Sequence, residues 1–270
     1  MHGARMFRSA NLALAVSLAG AIGVLILAGC SSDNSNPVNP GGGSTSSFTG
    51  MFASGTQSGK LTVTVNTTSP AGRGIMKRAG KVSVTASGTA VIGASTIPLT
   101  GTYDTSLHQI DLIGGGYVFS GDYDASTHGR ASLSGAWQGP GGGSDTGEFI
   151  CYLGNANTVR VYCGIYHSTV TPPDSGTFSF GLTDTILVGF SHAGGAGAGS
   201  GILFEGRTPS SGNPRAININ YRVPATYVLF APGQLDTTGA DAVTGTYSFT
   251  DSLGGGAGND AGTYAGTLCQ

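Results

Sequence analysis

The chain reads as an all-β protein, an antiparallel meander that closes into a β-barrel, with a two-sheet β-sandwich as the alternative. Three observations predict this. Runs rich in Val, Ile, Thr, Tyr and Phe alternate with polar residues, as half-buried strands do. The runs are short and each is bounded by Gly, Ser or Asp. No window past the N-terminus sustains a period of 3.6, so the body should hold essentially no helix.

Leu61-Thr62-Val63-Thr64-Val65-Asn66 alternates cleanly, and Thr67–Gly80 breaks the pattern with Pro70, Gly72, Gly74 and the basic trio Arg73, Lys77 and Arg78, as an exposed loop would. Lys81–Ala86, Ile97–Asp104, Gln109–Ile113, Tyr117–Asp124, Arg130–Gln138 and Glu148–Leu153 follow as strands. A second series runs Thr158–His167, Gly176–Leu182, Ile186–His192, Gly201–Arg207, Ala216–Val223, Thr226–Phe230, Val243–Thr250 and Gly262–Cys269. Strands this close leave room for hairpins only, because parallel pairing needs crossovers of about a dozen residues. Closing the meander removes exposed edges.

The N-terminus is different in kind. Arg5 and Arg8 precede an apolar run, Leu12–Leu27, of the length of a secretory h-region and short for a membrane span. Small residues then lead into a cysteine. Leu27-Ala28-Gly29-Cys30 resembles the lipobox of bacterial lipoproteins. That resemblance implies cleavage before Cys30, a diacylglycerol on its thiol and usually an acyl group, such as palmitate, on its new amine. It implies a signal helix over 1–29 and a membrane partner through the acyl chains on Cys30. Each buried methylene contributes about 0.8 kcal/mol, so two or three chains hold a protein on a bilayer. Ser31 and Ser32 imply an outer-membrane address, since an acidic residue after the cysteine retains such proteins at the inner membrane. Residues 30–47, made of Ser, Asn, Pro and Gly, read as a flexible tether, and 48–270 as the folded body, in one unit or in two at 48–155 and 156–270.

Without residues 1–29 the body carries ten Lys and Arg against fourteen Asp and Glu, a net charge of −4. With no basic cluster, nucleic acid is not an expected partner. The 48 glycines and 10% charged residues would suit disorder, but the glycines punctuate strand-forming runs instead.

One unit recurs. Gly-x-aromatic appears at Gly101-Thr102-Tyr103, Gly121-Asp122-Tyr123, Gly135-Ala136-Trp137, Gly164-Ile165-Tyr166, Gly176-Thr177-Phe178, Gly245-Thr246-Tyr247 and Gly262-Thr263-Tyr264. Positions i and i+2 share a strand face, so each unit sets a bare patch beside a ring. A ring from a neighbouring strand can lie over that patch, giving packing and curvature. The competing reading makes Tyr103, Tyr123, Trp137, Tyr166, Phe178, Tyr247 and Tyr264 the lining of a pocket for a small hydrophobic or glycan ligand. Stretches such as Gly114–Gly121 and Tyr162–Tyr166 resemble the glycine-rich, Gly-Thr-Tyr-bearing bacterial lipoproteins, a group that implies no particular activity.

With Cys30 lipidated, Cys151, Cys163 and Cys269 remain in an oxidising compartment. Eight strands between Thr158 and Cys269 would bring first and last together on closure, so Cys163–Cys269 is the expected disulfide and Cys151–Cys163 the alternative.

Reactive machinery is sparse. His2, His108, His128, His167 and His192 show no metal-ligand spacing, and no His-Glu-x-x-His occurs. Gly189-Phe190-Ser191-His192-Ala193 approaches a nucleophile elbow but lies in an alternating strand. Asp122-Tyr123-Asp124-Ala125-Ser126 opens like a calcium loop, yet Leu133 occupies the twelfth position. The glycine run Gly194–Gly201 lacks the Lys-Ser/Thr ending of a phosphate loop. The expectation is a lipid-anchored, non-enzymatic envelope protein without metal or cofactor, structural or binding a small hydrophobic or glycan ligand. An envelope hydrolase on a β-scaffold and a membrane-spanning barrel are the alternatives.

Overall fold

The computed structural model describes residues 45–66, 83–127, 130–141, 145–155, 157–170, 175–194, 201–223, 227–239, 241–251 and 259–269. The expected signal stretch, Cys30, the expected tether up to residue 44, the expected loop Thr67–Gly80 and most of the Gly194–Gly201 run lie outside the described residues. Among those described are sixteen strands and no helix. The first eight are β1 (Thr45–Ala53), β2 (Ser58–Asn66), β3 (Ser83–Ile92), β4 (Ser95–Asp104), β5 (Gln109–Gly114), β6 (Tyr117–Thr127), β7 (Arg130–Gln138) and β8 (Thr146–Leu153). The second eight are β9 (Arg160–Ser168), β10 (Ser175–Thr183), β11 (Ile186–Ala193), β12 (Ile202–Arg207), β13 (Arg215–Val223), β14 (Tyr227–Leu235), β15 (Ala242–Asp251) and β16 (Asp260–Leu268).

These strands form two closed barrels, β1–β8 and β9–β16, each an antiparallel meander. The alternative sandwich is not the arrangement adopted. Closure comes from β1 pairing with β8 (Gly50↔Cys151) and β16 with β9 (Gly266↔Gly164). Tight hairpins hold the register: Gly115 and Gly116 between β5 and β6 both have positive φ, at 57° and 83°, as a two-residue turn matched to strand twist requires.

Two boundaries differ from the expectation. β1 starts at Thr45, so residues 45–47 belong to the first barrel rather than to the tether, and without this strand the first barrel would have seven. β14 continues from Tyr227 through Pro232 to Leu235, where the pattern stopped at Phe230. Pro232 has no N–H to donate, and Ala231 and Pro232 drop out of the ladder with β15 while the same register resumes at Gly233↔Gly245.

Each barrel is filled by its own side chains. Phe52, Leu61, Leu112, Phe119, Leu133, Trp137 and Phe149 pack inside the first. Tyr162, Phe180, Leu187, Phe204, Ile217 and Val243 pack inside the second. A third apolar cluster joins the two outer walls: Met51, Ala53, Ile150 and Tyr152 from the first barrel meet Val159, Val161, Val188, Phe190 and Cys269. The strands at this junction are therefore buried on both faces, and the alternation in burial disappears from β10 and from Phe48 to Ala53.

Candidate functional site

The seven aromatic residues of the Gly-x-aromatic units all face barrel interiors, in two separate groups. Tyr103, Tyr123 and Trp137 belong to the first; Tyr166, Phe178, Tyr247 and Tyr264 belong to the second. Their rings contact one another. Phe52 stands edge-on to Trp137 at 4.9 Å between centroids and to Phe119 at 5.3 Å. Phe178 meets Tyr264 at 5.6 Å, and Tyr166 meets Tyr247 at 5.5 Å. Such edge contacts add about 0.5–1.5 kcal/mol each beyond the area they bury.

The antiparallel register explains the repeat. In β15 and β16, Gly245 stands opposite Tyr264 and Tyr247 opposite Gly262. In β9 and β10, Gly164 stands opposite Phe178 and Tyr166 opposite Gly176. In β7 and β8, Gly135 stands opposite Phe149 and Trp137 opposite Gly147. In the two second-barrel pairs the units run antiparallel and each lays its ring over the other's glycine, whereas in the first barrel Trp137 lies over Gly147 and Phe149 over Gly121 of β6. The fit leaves no room for a methyl: a Cβ at Gly262 would lie 2.7 Å from Cε1 of Tyr247, and one at Gly164 2.6 Å from Cζ of Phe178. Burial raises the phenol pKa of Tyr264 well above its ordinary value. Tyr247 is raised too, by burial first and then by its 2.8 Å hydrogen bond to the Asp260 carboxylate. Burial likewise raises Tyr103, with Tyr123 and Asp104 adding to the effect. These phenols are built to stay neutral.

One end of the first barrel is closed by a polar knot. The buried carboxylate of Asp145 accepts hydrogen bonds from the Ser54 hydroxyl (3.0 Å), the Thr56 hydroxyl (2.9 Å) and the Gln57 amide (2.7 Å). Tyr117 donates to the Gln57 carbonyl at 3.0 Å, and the Trp137 indole donates to the Ala53 carbonyl at 3.0 Å. At the other end, His108 Nδ1 lies 3.2 Å from the Tyr103 hydroxyl.

The junction between the barrels carries the polar groups that alternation did not single out. Thr177 and Ser179 on β10 donate to the Ser54 and Phe52 carbonyls, at 2.5 and 3.2 Å. Gly181 leaves room for Met51, whose sulfur lies 3.3 Å from where a Cβ would stand. His192 on β11, 3% exposed, places Nε2 2.9 Å from Oε2 of Glu148 on β8. Neither atom has another partner among the described residues. Beside the junction opens a cleft of about 300 Å³ lined by Lys60, Asn157, Val159, Arg160, Val161, Leu268 and Cys269. The Arg160 guanidinium is paired with Asp241.

Cys163 and Cys269 stand at disulfide distance, with Cα atoms 5.5 Å apart, across the β16–β9 seam. Cys151 is free and buried inside the first barrel, which corrects the alternative pairing with Cys163. Cys163 lies at the junction on the outside of the second barrel, so a wall separates the two sulfurs. Burial alone pushes the Cys151 thiol far above its usual range, so it stays protonated.

Ser191 and His192 are neighbours on an extended strand and point to opposite faces, with His192 turned toward the other barrel. Asp122 and Asp124 flank the inward Tyr123 on the outer face of β6, which stays extended through Thr127 rather than coiling around an ion. Sequence reasoning missed the pairing of His192 with Glu148 and the place of Lys60 in the cleft. The available signal was the loss of alternation in Gly50-Met51-Phe52-Ala53 and Phe178–Gly181, which marks strands buried on two faces. No protein-family model matches this chain, and no curated protein and no solved structure matches it either.

Proposed function

We propose that this is a lipid-anchored, non-enzymatic protein of the bacterial cell envelope, held at the outer membrane by acyl chains on Cys30, and that its contacts are made by outer surfaces rather than by barrel interiors. The observation that carries the second part is the packing of rings onto glycines and onto one another, which occupies both interiors with the protein's own side chains. A container for a ligand needs a roomy apolar hollow with a few polar contacts. Here the rings read as candidate ligand lining are each other's packing partners. Leu27-Ala28-Gly29-Cys30 supports the anchor.

The outward residues support a barrel bathed in water. On β3 and β4 they include Ser83, Thr85, Ser87, Thr89, Thr96, Thr100 and Thr102, with Val91 and Pro98 the apolar exceptions, where a barrel in lipid presents an apolar band. A small hydrophobic or glycan ligand is best placed in the cleft beside the junction. Val159, Val161 and Leu268 offer an apolar floor and Lys60 and Asn157 offer polar contacts.

The anchor is tested by labelling growing cells with an alkyne-bearing palmitate analogue and measuring the mass of the mature N-terminus. The expected species begins at an acylated Cys30, and Cys30→Ser leaves the protein unlabelled and out of the membrane fraction. An unmodified Cys30 behind an intact residue 1–29 segment refutes the assignment. The cleft is tested by titrating the soluble body, residues 31–270, with a fluorescent fatty acid and with oligosaccharides. Saturable binding weakened by Lys60→Glu is expected, and unaltered binding places the ligand elsewhere.

A further inference from the structure

The cleft beside the barrel junction carries a charge of one sign. Lys60 lies on the outer face of β2, because the next residue, Leu61, is buried inside the first barrel. Directly across the ladders from Lys60 stand Met51 on β1 and Val91 on β3. Both are apolar, and among the described residues no ion pair reaches Lys60. The opposite wall comes from the second barrel and the link into it: Asn157 and Val159 before β9, Arg160 and Val161 at its start, and Leu268 and Cys269 at the end of β16. Arg160 is the other cation of this lining, and Asp241 offsets its charge. One ammonium is left without a counter-ion, in a body whose net charge is negative.

The walls and the size narrow the ligand further. Val159 and Val161 are buried and Leu268 is half-buried, so the surface beyond the ammonium is apolar. A glycan brings a hydroxyl on nearly every carbon, and each hydroxyl left without a partner is costly. Besides Lys60, only Asn157 and the already paired Arg160 offer polar side chains here. At about 300 Å³ the cleft stands at the lower end of small-molecule pockets, about 300–1,000 Å³. A short apolar chain ending in a single negative charge meets all three conditions. A dianionic phosphate monoester would bring a second charge that nothing in the lining matches.

We propose that the cleft binds a small monocarboxylate with an apolar tail, its carboxylate held by Lys60 and Asn157 and its tail laid on Val159, Val161 and Leu268. This rests on the placement of a ligand in the cleft made above, and adds the charge, size and class of that ligand. The bound molecule touches both barrels, since Lys60 belongs to the first and the apolar wall to the second.

The test uses the body 31–270, which holds all sixteen strands and the disulfide. Octanoate is titrated calorimetrically, with octanol, octylamine, octyl phosphate, butyrate and maltose as comparisons. Expected is saturable one-to-one binding of octanoate, at least tenfold tighter than any of the others; butyrate falls behind because each buried methylene contributes up to about fourfold. Lys60→Met, which keeps the apolar stem, should bring octanoate down to the level of octanol, and Lys60→Arg should restore it to within threefold. Octanoate should also slow acetylation of Lys60 by an N-hydroxysuccinimide ester at least threefold, read by peptide mass spectrometry. Octanol, octyl phosphate or maltose binding as tightly as octanoate, with loss on Lys60→Met or with Lys60 protected, overturns the monocarboxylate while the cleft stands as the ligand site. Octanoate binding that ignores Lys60→Met and leaves Lys60 unprotected, or no saturable binding by any probe, overturns both.

Discussion

Replacing Gly262 by alanine tests the ring-over-glycine packing at its tightest kind of site. In open surroundings a Gly→Ala change at a compatible φ stabilises by about 0.4–1 kcal/mol, because the unfolded chain loses freedom. At Gly262 the added Cβ would overlap the His167 carbonyl oxygen, lie 2.8 Å from its carbon, and lie 2.7 Å from Cε1 of Tyr247. The ring can tilt, but the carbonyl belongs to a laddered strand and cannot move without stretching the β16–β9 seam. Overpacking of this kind costs about 1–3 kcal/mol. That outweighs the entropic gain, so the sign is destabilising, by about 2 kcal/mol. At about 2–4 °C per kcal/mol for a body of this size, Tm falls by about 4–8 °C. Urea unfolding followed by far-UV circular dichroism measures the change, with Gly141→Ala as the control. Among the described residues a Cβ at Gly141 meets only Cβ of Asp145, at 4.0 Å, and the variant should be neutral or slightly stabilised. The ring's share appears in a double-mutant cycle with Tyr247→Ala: once the ring is gone, Gly262→Ala should cost less, with a coupling of at least about 0.5 kcal/mol. If Gly262→Ala is as stable as the parent, or if the coupling is nil, the glycines are not there to seat rings and the account of the repeat fails.

Three further outcomes follow from the same structure. Cys163→Ser should lower stability by about 4–5 kcal/mol in the chain-entropy treatment, because the bridge closes a sequence separation of 106, and reducing agent should reproduce the loss on the parent but not on the variant in urea titrations. Stability should fall at alkaline pH: Tyr152, Tyr247 and Tyr264 and the Cys151 thiol all have raised folded values, so their contribution is complete below the ordinary values of 10.0 for Tyr and 9.0 for Cys and drains as pH rises past them. Tyr152 and Tyr264 should then each cost up to about 1.4 kcal/mol per pH unit above 10, and the more solvent-screened Tyr247 less, seen as a declining urea midpoint, whereas a flat profile from pH 9 to 11 would contradict the burial of these groups. Asp145→Asn should cost about 2–3 kcal/mol, since an amide keeps one acceptor oxygen where the carboxylate takes three hydrogen bonds, and adding Ser54→Ala to the Asp145→Asn variant should cost much less than adding it to the parent.

Local pattern in the chain settled the class of fold, the direction of pairing and the character of the walls. Period-two alternation with close-set glycine turns leaves an antiparallel meander as the economical solution, and that pattern can be read one segment at a time. The eight strands from Thr158 to Cys269 and the meeting of Cys163 with Cys269 followed from that periodicity and from the need of a meander to close. What stayed hidden was set by contacts distant in sequence. β1 was obscured because its residues are buried on two faces: Phe48, Gly50 and Phe52 turn into one barrel while Met51 and Ala53 face the other, and the alternation that announces a strand vanishes. Alternation also cannot say which face is inside, so it took the closed barrels to turn the aromatic side of every unit inward, in the second barrel onto glycines brought opposite by register. The pairing of His192 with Glu148 lies still further from local pattern, because it depends on how two finished barrels meet.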